Sequence, residues 1–312
     1  MSLFADVYYN NQPFNAELEG FGLEEKEIVV PPDHFDLYIV RNNFDVFSQI
    51  KGTKFCLAYP YNEEAFRNAD AVLTTTQIWK ERLEQFNERS DSFEFFGGYY
   101  PETIVQPKQI INIGQVLADD YVPKTSDFKC FQFKAQFGYG FTVAYFGRVD
   151  NEAKPHPDYL SIIPELEIQI PELKTVFAGN IRVEIPSKRV IKVGKINYQD
   201  MVFATSACDV LLCNEHDEAN WLASGKTLEA IGCEVPIVLT PRPARVEQLG
   251  ADYPLFYNTK EELLVLILKL YRDSNFRSSV KDYMRERAKD LRIGAHSARL
   301  EKTFKDFLNK RK

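Results

Sequence analysis

Short apolar runs alternate with amphipathic segments along most of the chain. In the first half, apolar runs at 37–40, 54–58 and 71–75 predict strands, and the last run is followed by a helical segment at 77–86. A further apolar run at 110–116 predicts a fourth strand. Because strands that alternate with short helices are typical of βαβ units, the pattern predicts a parallel sheet.

The same alternation starts again after residue 140. The spacing of apolar residues predicts helices at 198–206, 227–232 and 261–273. The predicted strands of this second series lie at 142–146, 173–178, 189–193, 209–213 and 235–239. We therefore predict an α/β protein with two doubly wound sheets, whose ligands bind at the carboxyl ends of the strands.

The two series predict two domains joined by an irregular segment. A chain of 312 residues is long enough to form two hydrophobic cores. We predict an N-terminal domain at 1–122, a linker at 123–140, a second domain at 141–290 and a basic C-terminal helix at 291–312.

The composition is that of a soluble globular protein, with 45% hydrophobic and 27% charged residues. The sequence contains no apolar run of about 18 residues, so we predict no transmembrane segment. It also shows no secretory signal, and its five cysteines are scattered without a Cys-x-x-Cys motif. We therefore expect a cytoplasmic protein with reduced thiols and without a zinc cluster.

The net charge of −7 is unevenly distributed. Residues 269–312 contain 14 Lys and Arg against 6 Asp and Glu, a net of +8, which leaves −15 for the remainder. Such asymmetry is compatible with a surface for an anionic lipid or nucleic acid, and hence with a peripheral membrane association. A solvated pair of amphipathic helices is the alternative interpretation.

The segment 221–238 carries the most specific chemistry. It predicts a loop, a helix opened by Ser224 and Gly225, a tight turn and a buried strand. A helix N-terminus attracts phosphate, and Lys226 adds a positive charge in the first turn. Glu229 follows at the i+3 spacing, on the same face as Lys226. A cation beside a carboxylate suits a nucleotide with a ribose, although the two residues could also simply form a pair along the helix.

In this context, residues 142–272 resemble the donor-binding domain of GT-B glycosyltransferases, most closely the retaining glycosyltransferase family 4. The resemblance rests on motifs that occur in the family's usual order: FGRV at 146–149, FAGN at 177–180, VGKINY at 193–198, ACDVLL at 207–212 and SGKTLE at 224–229. It implies the GT-B fold, which is two Rossmann-like doubly wound domains facing a cleft, here with a shortened N-terminal domain. It also implies a nucleotide-sugar co-substrate, expected to be UDP-linked, with retention of configuration and no metal or other cofactor.

The resemblance also implies a role for single residues. Arg148 and Lys226 would be the catalytic cations that stabilise the leaving phosphate. The predicted donor-binding residues are Lys154, Gly194, Lys195, Ile196, Ser224, Gly225, Thr227 and Glu229. Among these, Glu229 would accept hydrogen bonds from the ribose, and the turn at 194–196 would line the base. In the alternative interpretation, Arg148 is a surface arginine, Lys154 lies in a variable loop, and residues 194–196 form an ordinary turn.

The sequence departs from the family pattern at two places. Trp221 stands where many relatives have a glutamate that contacts the donor sugar, and a tryptophan accepts no hydrogen bond. The N-terminal half lacks the family's histidine at a strand end. On that side we predict Arg41, Asn42 and Tyr59 as acceptor contacts, with capping of strand ends as the alternative reading of these residues.

These features predict a glycosyltransferase that acts on a hydroxyl acceptor. The acceptor is left open among a saccharide, a lipid-linked glycan and DNA with hydroxymethylated bases. The substitution at Trp221 keeps a second function open, that of a non-catalytic glycosyltransferase-like subunit. A nucleotide-sugar 2-epimerase shares the fold, but its acid–base chemistry is poorly served by a chain with four histidines.

Overall fold

The structure is a computed structural model of the 312-residue chain. It describes residues 37–40, 52–57, 63–85, 107–147, 157–182, 185, 187, 189–213 and 223–310. These residues divide into two compact units. Unit 1 contains the described residues up to Gln115, together with Ala223 and the residues from Gly294 onward. Unit 2 contains the described residues from Val116 to Cys213 and from Ser224 to Ile293.

Unit 1 is built on a parallel four-stranded sheet. Its strands pair in chain order and are β1 (Leu37–Val40), β2 (Thr53–Leu57), β3 (Ala71–Thr74) and β4 (Ile110–Asn112). In the part of these connections that the structure describes, α1 (Glu63–Asn68) lies between β2 and β3, and α2 (Gln77–Gln85) lies between β3 and β4. In the described part of unit 1, strand order therefore follows the sequence without a reversal.

The last helix of the chain, α10 (Ile293–Asn309), packs on one face of the unit 1 sheet. The Phe55 ring lies 5.5 Å from that of Phe304 and 4.8 Å from that of Phe307, measured between ring centroids. Leu73 and Ile111 belong to the same buried cluster. Tilted and edge-on aromatic pairs add about 1 kcal/mol each beyond the burial of their surface, so α10 is an integral part of this core.

Unit 2 contains a five-stranded parallel sheet in the order β7-β6-β5-β8-β9. Its strands are β5 (Phe141–Phe146), β6 (Leu173–Ala178), β7 (Ile191–Val193), β8 (Val210–Leu212) and β9 (Ile237–Val238). The chain runs outward from β5 in one direction and then from β8 in the other, which is the Rossmann arrangement. All six residues of β5 are buried, as expected for a central strand covered on both faces. The predicted α/β class with parallel sheets is confirmed.

Seven helices of unit 2 flank this sheet in the described part of the chain. They are α3 (Phe128–Phe137), α4 (Pro157–Gln169), α5 (Tyr198–Ser206), α6 (Gly225–Cys233), α7 (Pro243–Leu249), α8 (Lys260–Arg272) and α9 (Ser274–Leu291). Thr259 caps α8 by accepting from the Glu262 N–H at 3.2 Å. Asp273 ends α8 and caps α9 by accepting from the Phe276 N–H at 2.9 Å.

Helix α3 lies in the segment 123–140, where we predicted a linker. Cys130 and Phe137 are buried in the core of unit 2, so this segment is part of the folded unit. The apolar pattern did not indicate a helix because Phe128 and Phe131 point outward, at 74% and 49% exposure, and obscure the amphipathic period.

All five cysteines are free and buried. Burial raises the pKa of the Cys56 and Cys233 thiols to about 12, and it also raises the pKa of Cys208 well above its usual value. Within the described residues, no group of three or more acidic, cysteine or histidine side chains could hold a metal ion, and no helix is both long and apolar enough to cross a membrane.

Candidate functional site

The N-terminus of α6 is fixed by a glutamine from α7. The Ser224 N–H donates to Gln248 Oε1 at 3.0 Å, and Gln248 Nε2 donates to the Ser224 carbonyl oxygen at 3.0 Å. Gln248 is fully buried, and Ser224 is 8% exposed. Two bonds to one peptide segment set the position from which the helix starts.

Ser224 occupies the N-cap position of α6, but its side chain does not make the hydrogen bond that is typical of a cap. Its backbone is extended, at φ −96° and ψ 125°, but its hydroxyl makes no cap hydrogen bond and lies 3.5 Å from Cys213 Sγ at the end of β8. Gly225 is exposed, and a Cβ added to it would meet nothing within 4 Å. The first turn of α6 is thus accessible, and helix N-termini of this kind bind anions.

Lys226 lies against the carboxyl end of β5. Its Nζ is 4.8 Å from the centroid of the Tyr145 ring, a cation–π contact. A Cβ added to Gly147 would lie 3.0 Å from both Cε and Nζ of Lys226. A larger residue at Gly147 of the FGRV motif would therefore crowd the flexible end of the lysine side chain.

A second glycine brings the end of β6 onto the same edge. Gly179 has φ +125°, and a Cβ added to it would lie 2.3 Å from the Gly147 carbonyl oxygen. The Gly147 N–H donates to Ala178 O at 2.8 Å, and the Gly179 N–H donates to Val193 O at 3.2 Å. The ends of β5, β6 and β7 thus meet through backbone contacts that exclude a side chain at residue 179.

Glu229 lies one turn along α6 from Lys226. Burial raises the pKa of Glu229, while the positive charge of Lys226 and a hydrogen bond from Tyr121 act in the opposite direction. The Tyr121 hydroxyl lies 3.5 Å from Glu229 Oε1 and donates to it. The carboxylate is thus held beside a cation and a hydroxyl donor in a partly desolvated place.

The predicted base-lining turn follows β7 directly. Gly194 and Lys195 are exposed, whereas Ile196 is half-buried and packs on the core of unit 2. Tyr198 then begins α5, and its ring lies edge-on to Tyr121 with centroids 6.0 Å apart. The turn and Glu229 are therefore connected through the two tyrosines.

Several predicted residues lie outside the described residues. These are the cations Arg148 and Lys154, the acceptor-side residues Arg41, Asn42 and Tyr59, and Trp221. Of the predicted residues that the structure describes, Ser224, Gly225, Lys226 and Thr227 lie at the start of α6 and Glu229 lies one turn further on. Gly194, Lys195 and Ile196 directly follow β7. Thr227 is fully buried, with Oγ1 3.9 Å from Cys213 Sγ.

Sequence reasoning missed Tyr121 and Gln248. Tyr121 lies 108 residues before Glu229, in a segment without a clear pattern, and Gln248 lies 24 residues after Ser224. Neither belongs to a motif, so only the fold reveals them. Gly179 was part of the FAGN motif, and its combination with the glycine of FGRV was a signal for a close approach of two strand ends.

Comparisons with known proteins support the predicted GT-B fold. No protein-family model matches the sequence, and a search of curated proteins finds no match. Among solved structures, sucrose-phosphate synthase from Thermosynechococcus elongatus is similar, with a TM-score of 0.65 at 13% identity over 88% of this chain and 74% of that one. Anabaena Alr3699/HepE in complex with UDP and glucose is similar with a TM-score of 0.64 at 15% identity, over 87% and 78% of the two chains.

A third similar structure is the pneumococcal O-GlcNAc transferase GtfA in complex with UDP and GlcNAc. Its TM-score is 0.59 at 16% identity, and the match covers 95% of this chain and 59% of that chain. Identities this low show the fold alone. The chain has the GT-B fold of these proteins, which confirms the predicted fold class.

Proposed function

We propose that the chain is a glycosyltransferase that transfers a sugar from a nucleotide-sugar donor, expected to be UDP-linked, to a hydroxyl acceptor. One observation carries the proposal. The accessible start of α6 is followed by Lys226 at the end of the central strand, and Glu229 stands one turn further on. The similar structures of HepE and GtfA, which contain UDP, support a nucleotide donor.

In this proposal the start of α6 binds the diphosphate. Backbone N–H groups of the first turn of α6, which begins at the exposed Gly225, would donate to the anion, and Lys226 adds a full positive charge. Negative charge grows on the departing phosphate as the glycosidic bond breaks, and fixed cations and dipoles stabilise that growth. Arg148 and Lys154, which follow Gly147 along the chain, are the proposed further cations.

The ribose and the base of the donor also have proposed binding residues. Glu229 would accept hydrogen bonds from the ribose hydroxyls, and the turn formed by Gly194, Lys195 and Ile196 would line the base. Ser224 contributes by position, because Gln248 holds its backbone where the helix starts. These roles would account for a carboxylate at a place where burial disfavours its charged form.

The proposed reaction needs no cofactor beyond the donor and no metal. The acceptor oxygen forms a bond to the anomeric carbon of the sugar, and the bond from that carbon to the phosphate oxygen breaks. The proton of the acceptor hydroxyl passes to the departing phosphate. Retention of configuration is part of the proposal through the resemblance to glycosyltransferase family 4.

The acceptor is proposed among a saccharide, a lipid-linked glycan and hydroxymethylated DNA, with Arg41, Asn42 and Tyr59 as predicted contacts. Several cations of the basic segment 269–312 have partners within their own unit. Arg285 pairs with Glu234 and Asp282, Arg287 donates to Glu247 and Gln248 carbonyls, and Lys305 pairs with Glu301. Because Arg285 pairs with Glu234 from outside this segment and Arg287 is held by two backbone carbonyls, fewer cations of the segment are available to a polyanion, and we favour a glycan acceptor over DNA.

A non-catalytic subunit is the second candidate, and the observation in its favour is Trp221 in place of a glutamate. Such a protein would bind the nucleotide without turnover. Release of UDP from a panel of UDP-sugars, with and without oligosaccharide acceptors, separates the two candidates.

Calorimetry with UDP, GDP and ADP tests the proposal directly. We expect one of them to bind in the presence of EDTA, and Glu229→Ala to weaken that binding at least tenfold. Glu261→Ala, which changes an exposed glutamate in the first turn of α8, is the matched control. If none of the three nucleotides binds the wild type, the proposed function is wrong.

A further inference from the structure

Tyr121 is fixed in unit 2 by its backbone. Arg292 Nη1 donates to the carbonyl oxygen of Tyr121 at 2.8 Å and to that of Ala118 at 3.1 Å. The Leu117 N–H donates to the Leu291 carbonyl oxygen at 2.8 Å. The segment that carries Tyr121 is thus tied to the end of α9, and hydrogen bonds to a charged donor are among the strong ones.

The same segment lies directly on α6, the helix that carries Glu229. A Cβ added to Gly232 would lie 2.7 Å from Tyr121 O and 2.8 Å from Tyr121 Cβ. Only a glycine allows this approach. The Tyr121 side chain is 2% exposed, so both ends of the residue are held: the backbone against Gly232 and Arg292, and the ring in the core.

The ring brings its hydroxyl between Glu229 and Tyr198. The hydroxyl lies 3.5 Å from Glu229 Oε1, it also has a hydrogen bond with the Tyr198 side chain, and the Tyr198 ring stands edge-on at 6.0 Å. Burial, the charge of Glu229 and the nearby Tyr198 all raise the pKa of Tyr121, so it remains a protonated donor at neutral pH. A donor on one carboxylate oxygen favours the orientation in which the other oxygen is left for a ligand.

We infer that Tyr121 is a positioning residue that orients the Glu229 carboxylate toward the ribose hydroxyls of the donor. The inference rests on the proposed function. It assigns a role to a residue from outside the recognised motifs, and it makes ribose recognition depend on a contact between the start of unit 2 and α6. In this inference Tyr121 acts on the donor through Glu229 and not by direct contact with the sugar.

The test compares UDP with 2′,3′-dideoxyuridine diphosphate by calorimetry in the wild type and in Tyr121→Phe. We expect the variant to lose about fivefold to tenfold in affinity for UDP, because a hydrogen bond to a charged group is lost, and to bind the dideoxy nucleotide as the wild type does. The preference for ribose should thus shrink. In a Glu229→Ala background, which removes the acceptor of the Tyr121 hydroxyl, Tyr121→Phe should change neither affinity.

The matched control is Tyr159→Phe, which removes another buried hydroxyl of unit 2, located 3.3 Å from Thr175 Oγ1. It should leave the preference for ribose intact. Equal weakening of both nucleotides by Tyr121→Phe, or an unchanged preference, would overturn the inference while the proposed function stands. A wild type that binds UDP no better than the dideoxy nucleotide would instead contradict the ribose role of Glu229 itself.

Discussion

The ammonium group of Lys226 lies 4.8 Å from the centre of the Tyr145 ring, although 81 residues separate them in the chain. The tyrosine is fully buried near the end of the central strand, so the lysine cannot lie against it unless α6 starts at that edge of the sheet. Gln248 fixes that start through Ser224. A cation and a helix N-terminus are therefore brought to the same point by the fold.

Lys226→Ala should weaken binding of UDP by about 10- to 100-fold, since the variant loses a charged hydrogen-bond donor to phosphate. Lys226→Arg should retain part of the affinity. Calorimetry at two salt concentrations measures both effects, and the salt dependence should decrease in the alanine variant. Lys260→Ala, at the exposed start of α8, is the control. Equal affinities in Lys226→Ala and the control would contradict the phosphate role.

Gly179→Ala should destabilise the protein by about 3 kcal/mol, because the new methyl group would collide with the Gly147 carbonyl oxygen in a backbone conformation that L-residues avoid. Urea unfolding followed by fluorescence measures the loss. In Gly225→Ala the added Cβ meets nothing within 4 Å, so this variant should stay within about 0.5 kcal/mol of the wild type. Similar stabilities for the two variants would rule out the close approach.

Glu229→Gln should increase the free energy of unfolding at pH 7. Burial raises the pKa of Glu229 in the folded state above its unfolded value. The group therefore favours folding below the unfolded pKa, and this contribution is lost as pH rises through the folded pKa. The stability gain of the variant should thus be present at pH 7 and shrink toward pH 4.

Urea titrations at both pH values measure this difference, with Glu261→Gln as the exposed control. The same titration of nucleotide binding should show weaker binding of UDP by the wild type as Glu229 is protonated at acidic pH. A variant that is less stable than the wild type at pH 7 would show that Glu229 is a structural carboxylate.

Phe307→Ala should destabilise unit 1 by about 3–5 kcal/mol, the usual cost of removing a buried aromatic ring. The Phe307 ring packs edge-on against Phe55 at 4.8 Å, so the variant leaves a cavity between α10 and the sheet. Thermal unfolding followed by circular dichroism measures the effect. Lys302→Ala, on the exposed side of the same helix, should change stability by less than about 0.5 kcal/mol.

Much of the fold follows from local patterns in the sequence. The runs predicted at 173–178 and 198–206 coincide with β6 and α5, and the helix predicted at 261–273 differs from α8 by one residue at each end. These segments have a clear period, and their caps are local. The strand predicted at 235–239 shortens to Ile237–Val238, because only these residues pair with β8.

The candidate site, too, could be predicted from the sequence only where its residues are close together in the chain. Lys226 and Glu229 are three residues apart on one helix, so the sequence alone places them together. The contacts of Glu229 with Tyr121, and of Ser224 with Gln248, depend on packing between elements that no local pattern connects. Helix α3 was missed for a related reason, since its outward phenylalanines break the expected period.

The burial of every cysteine has a practical consequence for spectroscopy. With the native thiols shielded and the pKa of Cys56 and Cys233 raised to about 12, maleimide reagents should react far more slowly with them than with a cysteine introduced at an exposed position such as Gln132. A single fluorophore or spin label can then be attached in the natural background, without prior removal of the five native thiols.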